Sequence, residues 1–388
     1  MQDHLPDGPE HPEAPTTAWS RAWPEATWHN LFYDLAFVAA ILVLAGSYSI
    51  DYTLLNGMWV AFTFTMLWCT WLVTSLAVAR MPVGPTRVTL VAVQMGFVLA
   101  AAVAAGGAVA QTADQVELIF AGMLLSVAAL VWLALPPGDS LRRGVSTVQL
   151  AAAAAALGVS PLMPVWYYLV AWLLAVALVA QVGLRFVRAG TDSAHTYTHR
   201  FGELTMIVLG ESFVKVGLSD DSDGLSAFRI SALVLIIVII TTTWWGYFGV
   251  IARGDAGGSG RRRVAWAALH VPLHVGLVFL AVGLAKLLSD SKSLLHGGVG
   301  GLLIAHLVLI MVALAGLSLV SGGHAARPVA GGLAGAAVIA AVVALLTPHL
   351  GWLTPTAATW CATVPFVLAI AGLHHRQVVL FRRTSPQP

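Results

Sequence analysis

The chain has 388 residues, of which 58% are hydrophobic and only 10% charged, with a mean hydropathy of +0.83. Soluble domains carry about 25% charged residues, so the composition excludes an ordinary soluble protein, and a net charge of +2 gives no basis for a nucleic-acid partner. The two cysteines, Cys69 and Cys361, both lie in apolar runs, which excludes a disulfide framework beyond that single pair.

Residues 1–27 are rich in Pro, Asp, Glu and Thr and read as a flexible cytoplasmic tail, without the basic and apolar regions of a secretory signal. Apolar runs long enough to span a bilayer then recur at 29–50, 56–79, 88–110, 115–135, 145–160, 165–184, 201–218, 228–252, 264–288, 298–321, 328–347 and 351–373. The pattern predicts an all-α polytopic membrane protein of about twelve helices, with 145–160 short enough to be re-entrant. Turn formers such as Pro136-Pro137-Gly138-Asp139 punctuate the runs.

Basic residues set the orientation. With both termini cytoplasmic, 16 of the 20 Lys and Arg residues fall on the inner side. These include Arg21, Arg80, Arg87, Arg142, Arg143, Arg185, Arg188, Arg200, Arg253 and Arg261 to Arg263. The opposite loops then hold Asp51, Asp114, Glu117, Asp220, Asp221, Asp223 and Asp290. This reading makes the lipid bilayer the protein's first partner.

An internal repeat runs through the chain. Phe32-Tyr33-Asp34-Leu35 matches Phe201-Gly202-Glu203-Leu204. Thr70-Trp71 leads to Ala79-Arg80 as Thr243-Trp244 leads to Ala252-Arg253. Arg87 precedes Gln94 as Arg263 precedes His270. The order predicts two parallel six-helix halves, 28–188 and 199–375, joined by a linker at 189–198 and followed by a basic cytoplasmic tail at 376–388. In such architectures a polar site commonly lies where the halves meet.

The motifs also resemble a known family. Trp28-His-Asn-Leu-Phe-Tyr-Asp-Leu-Ala-Phe-Val38, Arg200-Phe-Gly-Glu-Leu-Thr-Met-Ile-Val-Leu-Gly-Glu211, Trp244-Trp-Gly-Tyr-Phe248 and His270-Val-Pro-Leu-His-Val-Gly276 are similar to signatures of the bacterial low temperature requirement A (LtrA) family. The resemblance implies a multipass plasma-membrane protein and no settled biochemical activity. Asn30, His199 and Gly249 stand where the family pattern has acids, so a mechanism that needs those carboxylates is in question here. A more distant likeness is to potassium/proton channels built from two six-helix repeats.

The candidate path residues are Asn30, Asp34, Gln94, Glu203, Glu211, Lys215, Trp244 and His270. Glu211 lies about 16 Å beyond Arg200 at ~1.5 Å per residue. At that depth a carboxylate needs a partner, a proton or a water-lined cavity. Lys215, one turn on, is its expected ion-pair partner. Asp34 is expected either to tie its helix to an Arg or Trp of a neighbour or to handle an ion, and Glu203 to pair locally with Arg200. His270 is expected to link the halves or relay a proton, Lys286 to snorkel, and Trp244 to Phe248 to form an interface belt. His195, His199 and Glu203, or His270 and His274, have ladder spacing, but no further ligand motif backs them; no metal or cofactor is expected. Two functions follow: passage of an ion or small solute between the halves, or a membrane-embedded enzyme acting on a lipid-like or isoprenoid-like substrate with the same carboxylates. No catalytic signature is visible, which favours passage.

Overall fold

The computed structural model describes residues 26–82, 84–107, 113–189, 194–219, 226–251, 259–289, 299–322, 326–349 and 354–384. Most of the N-terminal tail, together with Arg21, Arg253, Asp220, Asp221, Asp223 and Asp290, lies outside them, as does part of the 189–198 linker. Among the described residues there are twelve long helices and no strand. In chain order they are α1 (Ala26–Ile50), α2 (Leu54–Val78), α3 (Pro85–Gly107), α4 (Ala113–Ala134), α5 (Ser140–Val159) and α6 (Val165–Ala189). They continue with α7 (Ala194–Gly217), α8 (Ala227–Gly246), α9 (Gly260–Ser289), α10 (Val299–Ser321), α11 (Ala326–Leu346) and α12 (Pro355–Thr384).

Local chemistry explains several boundaries. Thr53 and Ser226 cap α2 and α8, each accepting a backbone N–H from the third residue on. Pro85 and Pro355 open α3 and α12, where their missing N–H costs no hydrogen bond. Among the described residues, eleven helices are long and apolar enough to cross a membrane. The chain is an all-α, multipass membrane protein. α5 is a full helix of 20 residues within that set, so the re-entrant alternative is dropped. α7 lies outside the set because it carries Arg200, Glu203, Glu211 and Lys215. α8 ends in a single π-helical segment, Tyr247–Ile251.

The same neighbours recur in both halves of the chain. α1 packs on α3 as α7 packs on α9, and α3 on α4 as α9 on α10. α4 packs on α5, α5 on α6 and α2 on α6, as α10 packs on α11, α11 on α12 and α8 on α12. Between the halves, α1 touches α7 and α9, and α2 and α6 touch α9. Along α1 and α7 the order of contacts is the same: Asp34 meets Arg200 near their starts, and Gly46 faces Lys215 near their ends. The two helices therefore run parallel.

Within a bilayer, apolar surface gains nothing by leaving lipid for protein, so close packing and hydrogen bonds hold helices together. Gly276 on α9 provides the close approach: a Cβ there would lie 2.9 Å from Ile310 Cγ1 and 3.6 Å from the His306 carbonyl on α10. α2 and α9 are the most enclosed spans and carry the polar groups described next.

Candidate functional site between the halves

Arg200 on α7 crosses to α1 and grips Asp34 with both terminal nitrogens. Nη1 donates to Oδ2 at 2.8 Å and Nη2 to Oδ1 at 3.0 Å. Trp71 on α2 donates its indole N–H to Asp34 Oδ1 at 2.8 Å, and Arg200 also donates to Ser75 Oγ and Glu203 Oε2. Asp34 is fully enclosed, whereas Glu203 remains a quarter exposed and also meets His199 at 3.3 Å. Six side chains from three helices thus form one network. Its planar, two-pronged core is geometry that arginine makes and lysine does not. Asp34 ties α1 to both an Arg and a Trp, and Glu203 pairs locally, as the sequence suggested.

Beneath this network Phe201 fills the junction. Its ring lies against Trp68 and Trp71 of α2 and against Trp266 and His270 of α9. The two imidazoles of α9 sit one turn apart, fully buried, and do not share a ligand. His270 Nδ1 faces the Trp266 carbonyl at 2.8 Å, so it bears the proton, and Nε2 accepts from the Tyr247 hydroxyl at 2.9 Å. His274 Nδ1 accepts from the Trp68 N–H at 3.0 Å, leaving Nε2–H to donate to Thr205 Oγ1 at 2.9 Å, whose own proton goes to the Phe201 carbonyl. Each ring is neutral in this arrangement, with its tautomer fixed by its partners.

His270 therefore bonds only within its own half, and the link between halves expected of it is made by His274 through Trp68. Tyr247 is fully buried, so the Trp244–Phe248 cluster is not wholly an interface belt. Trp244 itself is exposed and stacks beside Phe248.

Farther along α7, Glu211 is 2% exposed and neither carboxylate oxygen has a hydrogen-bond partner. The neighbouring Ser212 hydroxyl is also buried and unpartnered. The expected pairing with Lys215 is not formed as a hydrogen bond. The Lys215 ammonium instead reaches α1, 3.9 Å from where a Cβ on Gly46 would stand.

Gln94 of α3 is buried, accepts from Ser126 Oγ, and lies with Thr74 beside the Tyr33 hydroxyl. Asn30 is on α1, but its side chain lies outside the described residues. Among the described residues no group of three metal-ligating side chains occurs.

The family profile described as Bacterial low temperature requirement A protein (LtrA) matches residues 25–371. The chain belongs to the LtrA family. No curated protein and no solved structure matches it.

In this LtrA family member the signature residues are the ones that meet. Asp34, Arg200, Phe201, Tyr247 and His270 come from four separate motifs and converge between the halves. Gly249, where the family pattern has an acid, lies on the π segment with Trp245 folded against it: a Cβ there would stand 2.6 Å from Trp245 Cδ1.

Sequence reasoning missed Trp68, Ser75 and Thr205, which looked like ordinary helix residues. It also missed the cluster in which the Tyr48 and Tyr52 hydroxyls each lie 3.4 Å from a ring nitrogen of His306. A lone histidine in the apolar run Gly300–Met311 was the available signal. Glu117, read as a loop acid, is on α4 and buried.

Proposed function

We propose that this protein passes a proton or a small cation along the contact between two parallel six-helix repeats, 28–188 and 199–375, in the plasma membrane with both termini cytoplasmic. One observation carries the reading: Glu211 is enclosed on α7, with both carboxylate oxygens and the adjacent Ser212 hydroxyl lacking hydrogen-bond partners. A carboxylate so placed is costly unless it takes up a proton or a cation. Lys215 stands beside it without bonding it, a geometry that admits exchange in place of a fixed pair. The Arg200–Asp34 network closes the same seam at the cytoplasmic end, and it is the element that must loosen for an ion to leave there. The neutral imidazoles of His270 and His274, tied to named partners, are structural supports of the seam in this reading, and the proton transfer rests on Glu211.

The recurrence of helix neighbours in both halves and the parallel course of α1 and α7 support the repeat. The placement of Gln94 and His270 on matching helices supports it further. Flux in liposomes reconstituted with the purified protein tests the function. Glu211→Gln should fold and lose pH-dependent flux, while retention of wild-type flux and pH profile would overturn the proposal.

A second reading has an observation of its own. A cleft of about 530 Å³ opens between α1 and α7, with His199 and Glu203 at its polar end and the exposed Leu31 and Met206 on its sides. That arrangement suits acid–base chemistry on a lipid-like substrate. It requires turnover of such a lipid that Glu203→Gln abolishes and Glu211→Gln leaves intact.

A further inference from the structure

A different cavity, of about 600 Å³, lies at the far end of α1 from Asp34, where α2 and α6 begin. Its walls are aromatic: Trp59, Phe62, Tyr168 and Trp172. The rings hold one another, with Trp59 edge-on to Trp172 at 5.5 Å, and Phe120 bracing Trp172 from behind at 4.9 Å. Trp59 is further fixed by donating its N–H to the Ala105 carbonyl.

The polar end is made of acceptors. Asp51 and Asn56 line it. The Asn56 amide donates to the Ser47 and Asp51 carbonyls, which fixes its orientation, and its Oδ1 accepts no hydrogen bond although the residue is 5% exposed. Behind the aromatic wall Glu117 is 1% exposed; its carboxylate interacts with the Tyr168 phenol, yet neither oxygen accepts a well-formed hydrogen bond. No lysine or arginine lines the cavity among the described residues. Leu169 and Leu173, both exposed, carry its other end out onto the flank of α6.

The complement of this site is a group with positive charge, N–H donors and an apolar tail. Ring faces attract a cation, an unfilled amide oxygen needs a donor, and a greasy exit to the bilayer accepts an alkyl chain. A bare metal ion fits poorly, since the walls are rings. A quaternary ammonium would leave Asn56 Oδ1 unfilled.

We propose that this cavity binds a primary alkylammonium amphiphile. Its ammonium donates to Asn56 Oδ1 and Asp51 beneath the Trp59 and Trp172 rings, and its chain lies along Leu169 and Leu173.

The site is independent of Glu211 and of the flux reading. Calorimetric titration of the full-length protein in neutral maltoside micelles tests it with three probes: dodecylammonium, dodecyltrimethylammonium and dodecanol. Saturable binding of dodecylammonium is expected, about tenfold or more tighter than either analogue. Asp51→Asn should weaken it about tenfold, and Trp59→Leu several-fold. Should Asp51→Asn fail to fold, Trp59→Leu and the probe series decide. Equal binding of all three probes would reduce the site to a plain apolar groove and overturn the proposal. Unchanged dodecylammonium binding in a folded Asp51→Asn or Trp59→Leu variant would overturn it as well.

Discussion

Replacing Arg200 with methionine is the most searching perturbation of the seam. The substitution keeps an apolar stem of similar length and removes four hydrogen bonds: two to Asp34, one to Ser75 and one to Glu203. Asp34 is left fully enclosed with the Trp71 N–H as its remaining hydrogen-bond donor. Stripping one member from a buried ion pair costs about 3–5 kcal/mol. Because the Arg200 side chain is itself 15% exposed, part of its own burial cost is recovered, and the lower end of that range, ~3 kcal/mol, is expected. Asp34→Asn should cost less, about 1–2 kcal/mol. Its amide oxygen still accepts from Trp71, and Arg200 keeps Glu203 and Ser75. Combining Asp34→Leu with Arg200→Met removes both charges, so the double variant should be more stable than the sum of its parts by about 2 kcal/mol. Unfolding in mixed maltoside–dodecyl sulfate micelles, followed by circular dichroism, gives all four corners of the cycle. Strict additivity, or an Asp34→Asn variant less stable than Arg200→Met, would refute the reasoning.

Three other outcomes follow from local geometry. Gly283→Ala would set a Cβ 2.7 Å from Leu303 Cδ1 and 2.8 Å from the Tyr52 hydroxyl; a loss of about 1–3 kcal/mol is expected in the same assay. Gly331→Ala, which meets nothing within 4 Å, should stay within about 0.5 kcal/mol of wild type. Nitrogen NMR of labelled histidines at neutral pH should find His270 protonated at Nδ1 and His274 at Nε2. Opposite tautomers, or a doubly protonated ring, would contradict the hydrogen-bond assignment made here.

Much of this molecule was legible because hydropathy writes membrane spans plainly: each predicted apolar run holds a helix, although α7 begins inside the expected linker and α12 continues to Thr384, into the expected 376–388 tail. The boundaries that moved have physical causes. α7 starts at Ala194 and not near 201, because Tyr197 is buried and donates to the Phe186 carbonyl, so a polar stretch is held helical by packing. Asp34, Arg200 and Glu211 were readable because charge in an apolar run is conspicuous. Trp68 and Thr205 were not, since their role lies in which imidazole nitrogen they face, and that depends on helix rotation. The same blindness misplaced His270 as the bridge between halves: the sequence places His270 and His274 one turn apart, but only packing decides that the second turns toward α2.

The Arg200–Asp34 bridge has a consequence for how the chain is made. The partners are 166 residues apart. At about 5–20 residues per second, synthesis takes on the order of 8–33 s to reach Arg200 after Asp34 has left the ribosome. Once α2 has been made, the Trp71 N–H is the donor Asp34 has until Arg200 arrives. The first half alone is thus an incomplete product, and a nascent chain stalled before α7 carries an unneutralised acid in its seam. The arrival of one guanidinium from α7 completes the bonding of that acid.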